Sequence, residues 1–183
     1  MKSSARTANV AAMANESVYT TSSETTSLFV TEQLLQEISE HERNVLVIES
    51  PRVADLTAQF RQYALRSGTP IYLWSANHGI ASLRELDFIV PGSQRVLDAL
   101  RHVIATLHAG IYVFVGASKE LKLGQLALVR QIARPGNSVS GRKLVLLDVK
   151  VRLPENMENL VHRIVHDVST RRPPRLRDGR WVC

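Results

Sequence analysis

NVLVIESPRVADLTAQFRQYALRSGTPIYLWSA, residues 44–76, decides how the chain folds. Its opening, NVLVIES (44–50), is a short unbroken apolar run rich in β-branched residues, as in a strand buried on both faces. In PRVADLTAQFRQYALRSG (51–68), Val53, Leu56, Phe60 and Tyr63 recur at i, i+3, i+7 and i+10. That spacing predicts a helix, with Pro51 suited to its start and Gly68 to its end. TPIYLWSA (69–76) reads as a second buried strand, so the stretch is a βαβ unit.

The same alternation extends outward. Upstream, SLFVTEQLLQEISEHE (27–42) places Leu28, Leu34, Leu35 and Ile38 near one helical face. Downstream, residues 91–110 predict a helix with Ser93 as N-cap and a stripe of Val96, Leu97, Leu100, Val103, Ile104 and Leu107. Strand GIYVFVGA (110–117) follows, then a helix over 118–136 ended by Pro135-Gly136, with Gly124 weakening its middle. Strand RKLVLLDVKV (142–151), a short helix or turn at 153–161 and strand HRIVHDVS (162–169) complete the pattern. Strands alternating with helices imply an α/β fold, a three-layer parallel sheet of about five strands with right-handed crossovers.

Three segments are expected: a disordered Ser/Thr-rich tail (1–26), the α/β domain (27–169) and an Arg-rich tail (170–183). The net charge is +6, of which the last segment supplies +4: Arg171, Arg172, Arg175, Arg177 and Arg180 against Asp178. The domain itself is only mildly basic, which argues against a broad nucleic-acid face. The single cysteine, Cys183, excludes a disulfide within the chain, and no apolar run reaches the ~20 residues of a membrane helix. A soluble cytoplasmic protein with no membrane contact is expected.

GNSVSGRKL (136–144) is close to a phosphate-binding loop, G-x-x-x-x-G-K-[ST]. Such a loop must follow a strand and open a helix, so that its N–H groups wrap the phosphates. This one follows a helix and runs into a strand, with Arg142 in place of the Lys and Leu144 in place of the hydroxyl. It reads as a helix-to-strand connection. After the first strand, where a phosphate loop belongs, VIESPRVADL (47–56) has no Gly and no Lys, and Pro51 lacks an N–H. Strand 111–118 ends at Gly116 without the acid that positions magnesium, whereas LVLLDV (144–149) carries Asp148 after four apolar residues.

LQEISEH, NVLVIESPRVADL and TPIYLWSANHGI, the last with Trp74-Ser75 and Gly79-Ile80, resemble the N-terminal region of a group of AAA-type ATPases found in algal plastids, cyanobacteria and other bacteria. LDALRHVIATLHAGIYVFVGAS and KLVLLDVKVRLPENMENLV, with its Leu-Pro-Glu turn, are similar to the same region. The resemblance covers about residues 27–170 and implies a RecA/AAA-like, degenerate P-loop domain that precedes a true AAA module. That module is absent from this sequence, so none of the family's catalytic residues has a counterpart here.

The remaining constellations are weaker. His162 and His166 are four apart, but H-R-I-V-H lacks the zincin Glu and further ligands, so no metal is expected. His102 and His108 do not share a helical face; both read as surface or helix-end residues, and His108 suits a helix C-terminus. Gly116-Ala117-Ser118 lies at a strand-to-helix turn without a hydrolase triad, and Ser118 reads as the N-cap of the next helix. The expected function is a non-catalytic adaptor or regulatory module with no cofactor. Its partner would be a protein, an AAA ATPase or a second copy. Two alternatives remain: weak ATP binding at the strand ends through Glu49, Ser50, Ser75, Ser118 and Asp148, or nucleic-acid tethering by the tail arginines with Trp181.

Overall fold

The computed structural model describes residues 29–85, 87–134 and 141–166. Helix α1 spans 29–40. Then come β1 (Val45–Glu49), α2 (Val53–Ser67), β2 (Ile71–Ser75), β3 (Gly79–Ser82), α3 (Val96–Ala105), β4 (Gly110–Val115), a 3₁₀ turn (Ala117–Lys119), α4 (Leu123–Ala133), β5 (Arg142–Asp148), α5 (Glu155–Glu158) and β6 (His162–Val165). The strands form one sheet in the order β3-β2-β4-β5-β1-β6. All neighbours are parallel except β2 and β3, an antiparallel hairpin.

The chain crosses from β1 to β2 in one direction along this sheet and returns through β4 and β5 in the other. Right-handed crossovers therefore place α2 on one face and α3, α4 and α5 on the opposite face. The two cores follow that division. Leu34, Leu35 and Ile38 of α1 and Leu56, Phe60 and Ala64 of α2 pack on Leu46, Ile48, Val113 and Val145. Val96, Leu100 and Val103 of α3, Val129 and Ile132 of α4, and Met157 of α5 pack on Val45, Val47, Phe114 and Leu146. Successive strand residues alternate between the two cores, which is why β1 over Val45–Ile48 and β5 over Leu144–Leu147 carry no polar residue.

The expected α/β three-layer architecture is present, with three corrections. The sheet has six strands, not about five, because GIAS folds back as β3. Helix α3 begins at Val96 rather than at Pro91, and Ser93 does not cap it. The buried Ser93 hydroxyl instead accepts from the Ile80 amide (2.8 Å) and donates to the Val90 carbonyl (2.6 Å). The Ser93 carbonyl receives the indole N–H of Trp74 at 2.8 Å. Leu107, assigned to the apolar stripe, lies beyond the end of α3 and is 80% exposed. Helix α4 likewise starts at Leu123, so Gly124 falls in its first turn rather than its middle.

Ser93 thus clamps the β2–β3 hairpin to the loop that leads into α3. Gly79 makes the approach feasible: its φ is +82°, and a Cβ there would sit 2.4 Å from the Ser93 hydroxyl oxygen and 3.2 Å from backbone. Beneath the clamp, Trp74 stacks on Phe114 and Tyr72 on Tyr112, with centroids 5.2 and 4.9 Å apart, at matched positions of β2 and β4. Gly79→Ala is expected to destabilise the chain by at least about 2 kcal/mol, from left-handed strain plus the clash. Ser93→Ala, which orphans the Ile80 amide, should cost about 1–3 kcal/mol. Urea titrations of both variants check these values.

Candidate functional site

In an open parallel sheet, ligands bind beyond the carboxyl ends of the strands, because there the chain leaves the sheet to opposite faces. Here that divergence lies between β1, which leads to α2, and its neighbour β5, which leads to α5. The last residues of the two strands, Glu49 and Asp148, are paired in register. Two carboxylates therefore stand side by side where a phosphate loop would present N–H groups.

Each carboxylate is held by groups of the chain itself. Glu49 Oε1 accepts from the Val151 amide at 2.9 Å and from Arg163 Nη1 at 2.5 Å. Arg163 also reaches the Val151 carbonyl (3.1 Å) and Glu158 (2.7 Å). The side chain of β6 thereby ties the end of β1 to the segment that follows β5. Asp148 accepts the Ser118 hydroxyl on Oδ2 and the Val149 amide (2.8 Å) on Oδ1. Ser118 is therefore not the cap of α4; it lies in the 3₁₀ turn and faces the neighbouring strand end. Ser50 is buried: its hydroxyl accepts the Arg52 amide (3.2 Å) and lies 3.3 Å from His166 Nδ1.

Of the five residues proposed for nucleotide contact, Glu49, Ser50, Ser118 and Asp148 line one crest along the ends of β1, β5 and β4. Ser75 does not join them. It lies at the end of β2, in a groove of about 600 Å³ whose walls include Val53, Thr57, Arg61 and Val115. Arg163 was not foreseen, because H-R-I-V-H drew attention to its histidines. Arg171, Arg172, Arg175, Arg177, Arg180 and Trp181 lie outside the described residues, as do Leu28 and Pro135-Gly136.

The end of GNSVSGRKL is also visible. Arg142 opens β5 and is buried, and its guanidinium donates to the carbonyls of Val103 (2.9 Å), Ile104 (3.1 Å) and Thr106 (2.9 Å). It closes the C-terminal end of α3, where carbonyls lack helical partners. Lys143, pointing to the other face, donates to the carbonyls of His41 and of Arg43, the latter at 3.2 Å. Burial pulls the Lys143 ammonium below its ordinary range. Both cations serve helix ends. Arg142→Met is expected to destabilise by about 1.5–3 kcal/mol, the worth of charge-assisted hydrogen bonds, as read by thermal unfolding.

The two histidines of H-R-I-V-H do not converge. His162 bonds Glu37 (3.2 Å) and stacks on His41 with centroids 3.9 Å apart, whereas His166 meets Ser50. Among the described residues, no group of three or more His, Cys, Asp or Glu side chains is placed to hold a metal ion. Burial, with His162, Lys143 and Arg43 adding to it, lowers the pKa of His41 below 6.5; Glu37 opposes this weakly. Burial alone lowers that of His102. The folded chain thus binds fewer protons than the unfolded chain between the lowered values and 6.5. The stability these groups contribute is full above that window and is lost as pH falls through it. Melting temperature should rise with pH through the window below 6.5, and replacing His41 and His102 with Gln should flatten the rise.

The mostly parallel sheet, flanked by helices on both faces, is compatible with a RecA/AAA-like three-layer fold. Residues 30–166 match the family described as SpoVK-like AAA ATPase, N-terminal domain. The chain belongs to that family. The expected kinship with an AAA N-terminal region is met over nearly the span that carried the resemblance. Searches of curated proteins and of solved structures gave no match. Among the described residues of this AAA N-terminal domain, no helix is long and apolar enough to cross a membrane.

Proposed function

We propose that this domain is a non-catalytic interaction module of an AAA ATPase system, regulating or docking an ATPase module without turning over nucleotide itself. One observation carries the reading: the crest where a P-loop fold holds phosphate is built from paired carboxylates, Glu49 and Asp148. Polyphosphate brought there would meet two like charges instead of a cradle of N–H donors. The carboxylates are moreover engaged by Arg163, Val151, Ser118 and Val149, so binding would have to break an internal network. Membership of a family described as an AAA ATPase N-terminal domain supports the other half of the proposal.

The weak-nucleotide alternative predicts a measurable difference. A ligand at 100 times its Kd stabilises its protein by about 2.7 kcal/mol, or roughly 2–4 °C for a domain of this size. The proposal expects a shift below about 1 °C with millimolar Mg-ATP, no phosphate release above buffer, and co-elution with an AAA module on gel filtration. A saturable shift abolished by Asp148→Ala would overturn it and place nucleotide at the crest.

A further inference from the structure

A second depression lies at the same carboxyl edge of the sheet but away from the crest, beyond β2 and β4. It has a volume of about 620 Å³ and opens between the start of α3 and the segment leading into α4. Arg95 enters it from one side and Lys119 and Lys122 from the other, with Glu120 as the acid in the wall. Val96 and Leu97 line it as apolar residues. Among the described residues, none of the three cations takes part in an ion pair, unlike Arg101 and Arg163. With Glu120 as the one acid among its lining residues, the cleft keeps a net positive charge.

The shape selects among anions. A small-molecule site encloses most of its ligand's surface. Here the side chains of Arg95, Lys119, Glu120 and Lys122 are all exposed, and Val96 is buried. A lone phosphate or a small metabolite would remain largely wet. A chain segment crossing the cleft would instead set acidic side chains against three separated cations and an apolar one against the half-buried Leu97. Leu123, next to Lys122, is 88% exposed and extends that apolar contact at the rim. Exposed Leu beside long, mobile cations is the composition of a protein-facing patch, where Lys and Arg stems add contact area and their heads add selectivity.

We propose that this cleft is the surface by which the domain takes up an acidic, partly apolar peptide segment of a partner protein. The inference rests on the interaction-module reading above and names its contact face. Attraction between exposed charges is screened by salt, so the uptake must weaken as ionic strength rises.

The test is fluorescence anisotropy of a labelled ten-residue peptide of Glu with two Leu, titrated with the full chain at low and at near-physiological salt. Lys119→Glu with Lys122→Glu is expected to weaken binding at least about tenfold, and Arg95→Glu to add to the loss. Arg61→Glu with Arg66→Glu, the same change of net charge on α2, across the sheet, should bind like the parent chain. It controls for bulk charge and for capture by the C-terminal arginines. Circular dichroism melts confirm that each variant folds. Unchanged affinity in the Lys119/Lys122 variant, equal loss in the Arg61/Arg66 variant, or equal affinity for the Gln version of the peptide overturns the proposal. Displacement of the peptide by micromolar pyrophosphate also overturns it, by making the cleft a small-anion site. None of these outcomes alters Mg-ATP stabilisation through Asp148 or co-elution with an AAA module, so this inference and the function it builds on fail separately.

Discussion

Strands β4, β5 and β1 must be covered on both faces, and that requirement organises everything else in this domain. A parallel sheet cannot leave a face to solvent as an antiparallel one can. Its central strands therefore carry apolar side chains in both directions, and helices must be delivered to both sides. The path from β1 out to β2 and back through β4 and β5 does this with right-handed connections alone. The sheet then meets water in the middle of the molecule only where the strands end. Polar function is confined to those ends by the same constraint that builds the core.

At the carboxyl end, the chain has used the available positions in two different ways. Along β1 and β5, carboxylates are matched with an arginine, a serine and two amides, so that the crest is internally satisfied. Beyond β2 and β4, three cations stand without such matching. A phosphate loop inverts this distribution, placing donors after the first strand. Relative to a phosphate loop, the cations of this domain stand at the other end of the same edge.

Much of the scaffold was legible in the sequence. Leu56 and Phe60 announce α2 by period, and the apolar runs within β1, β4 and β5 suit only a strand buried on both faces. What escaped was fixed by distant partners. GIAS is four residues long with no apolar alternation, and it becomes a strand because Trp74 and Ile80 both bond to Ser93. Ser93 itself looks like a helix cap in sequence, since a hydroxyl followed by an apolar stripe is the cap signature. Its partner in space outranks its neighbour in sequence. At the crest, the strand ends were legible and the ties between them were not. Arg163 meets Glu49 across 114 positions, and Ser118 meets Asp148 across 30.

The fragment that first suggested ATP has a mechanical meaning instead. Arg142 and Lys143 are adjacent on β5 and so point to opposite faces. One grips the end of α3 and the other the turn after α1. Two neighbouring residues of a single strand thus rivet both helical layers to the sheet. Neither layer can peel away without disturbing the other's anchor. The placement of both helical layers is thereby set from one point on one strand.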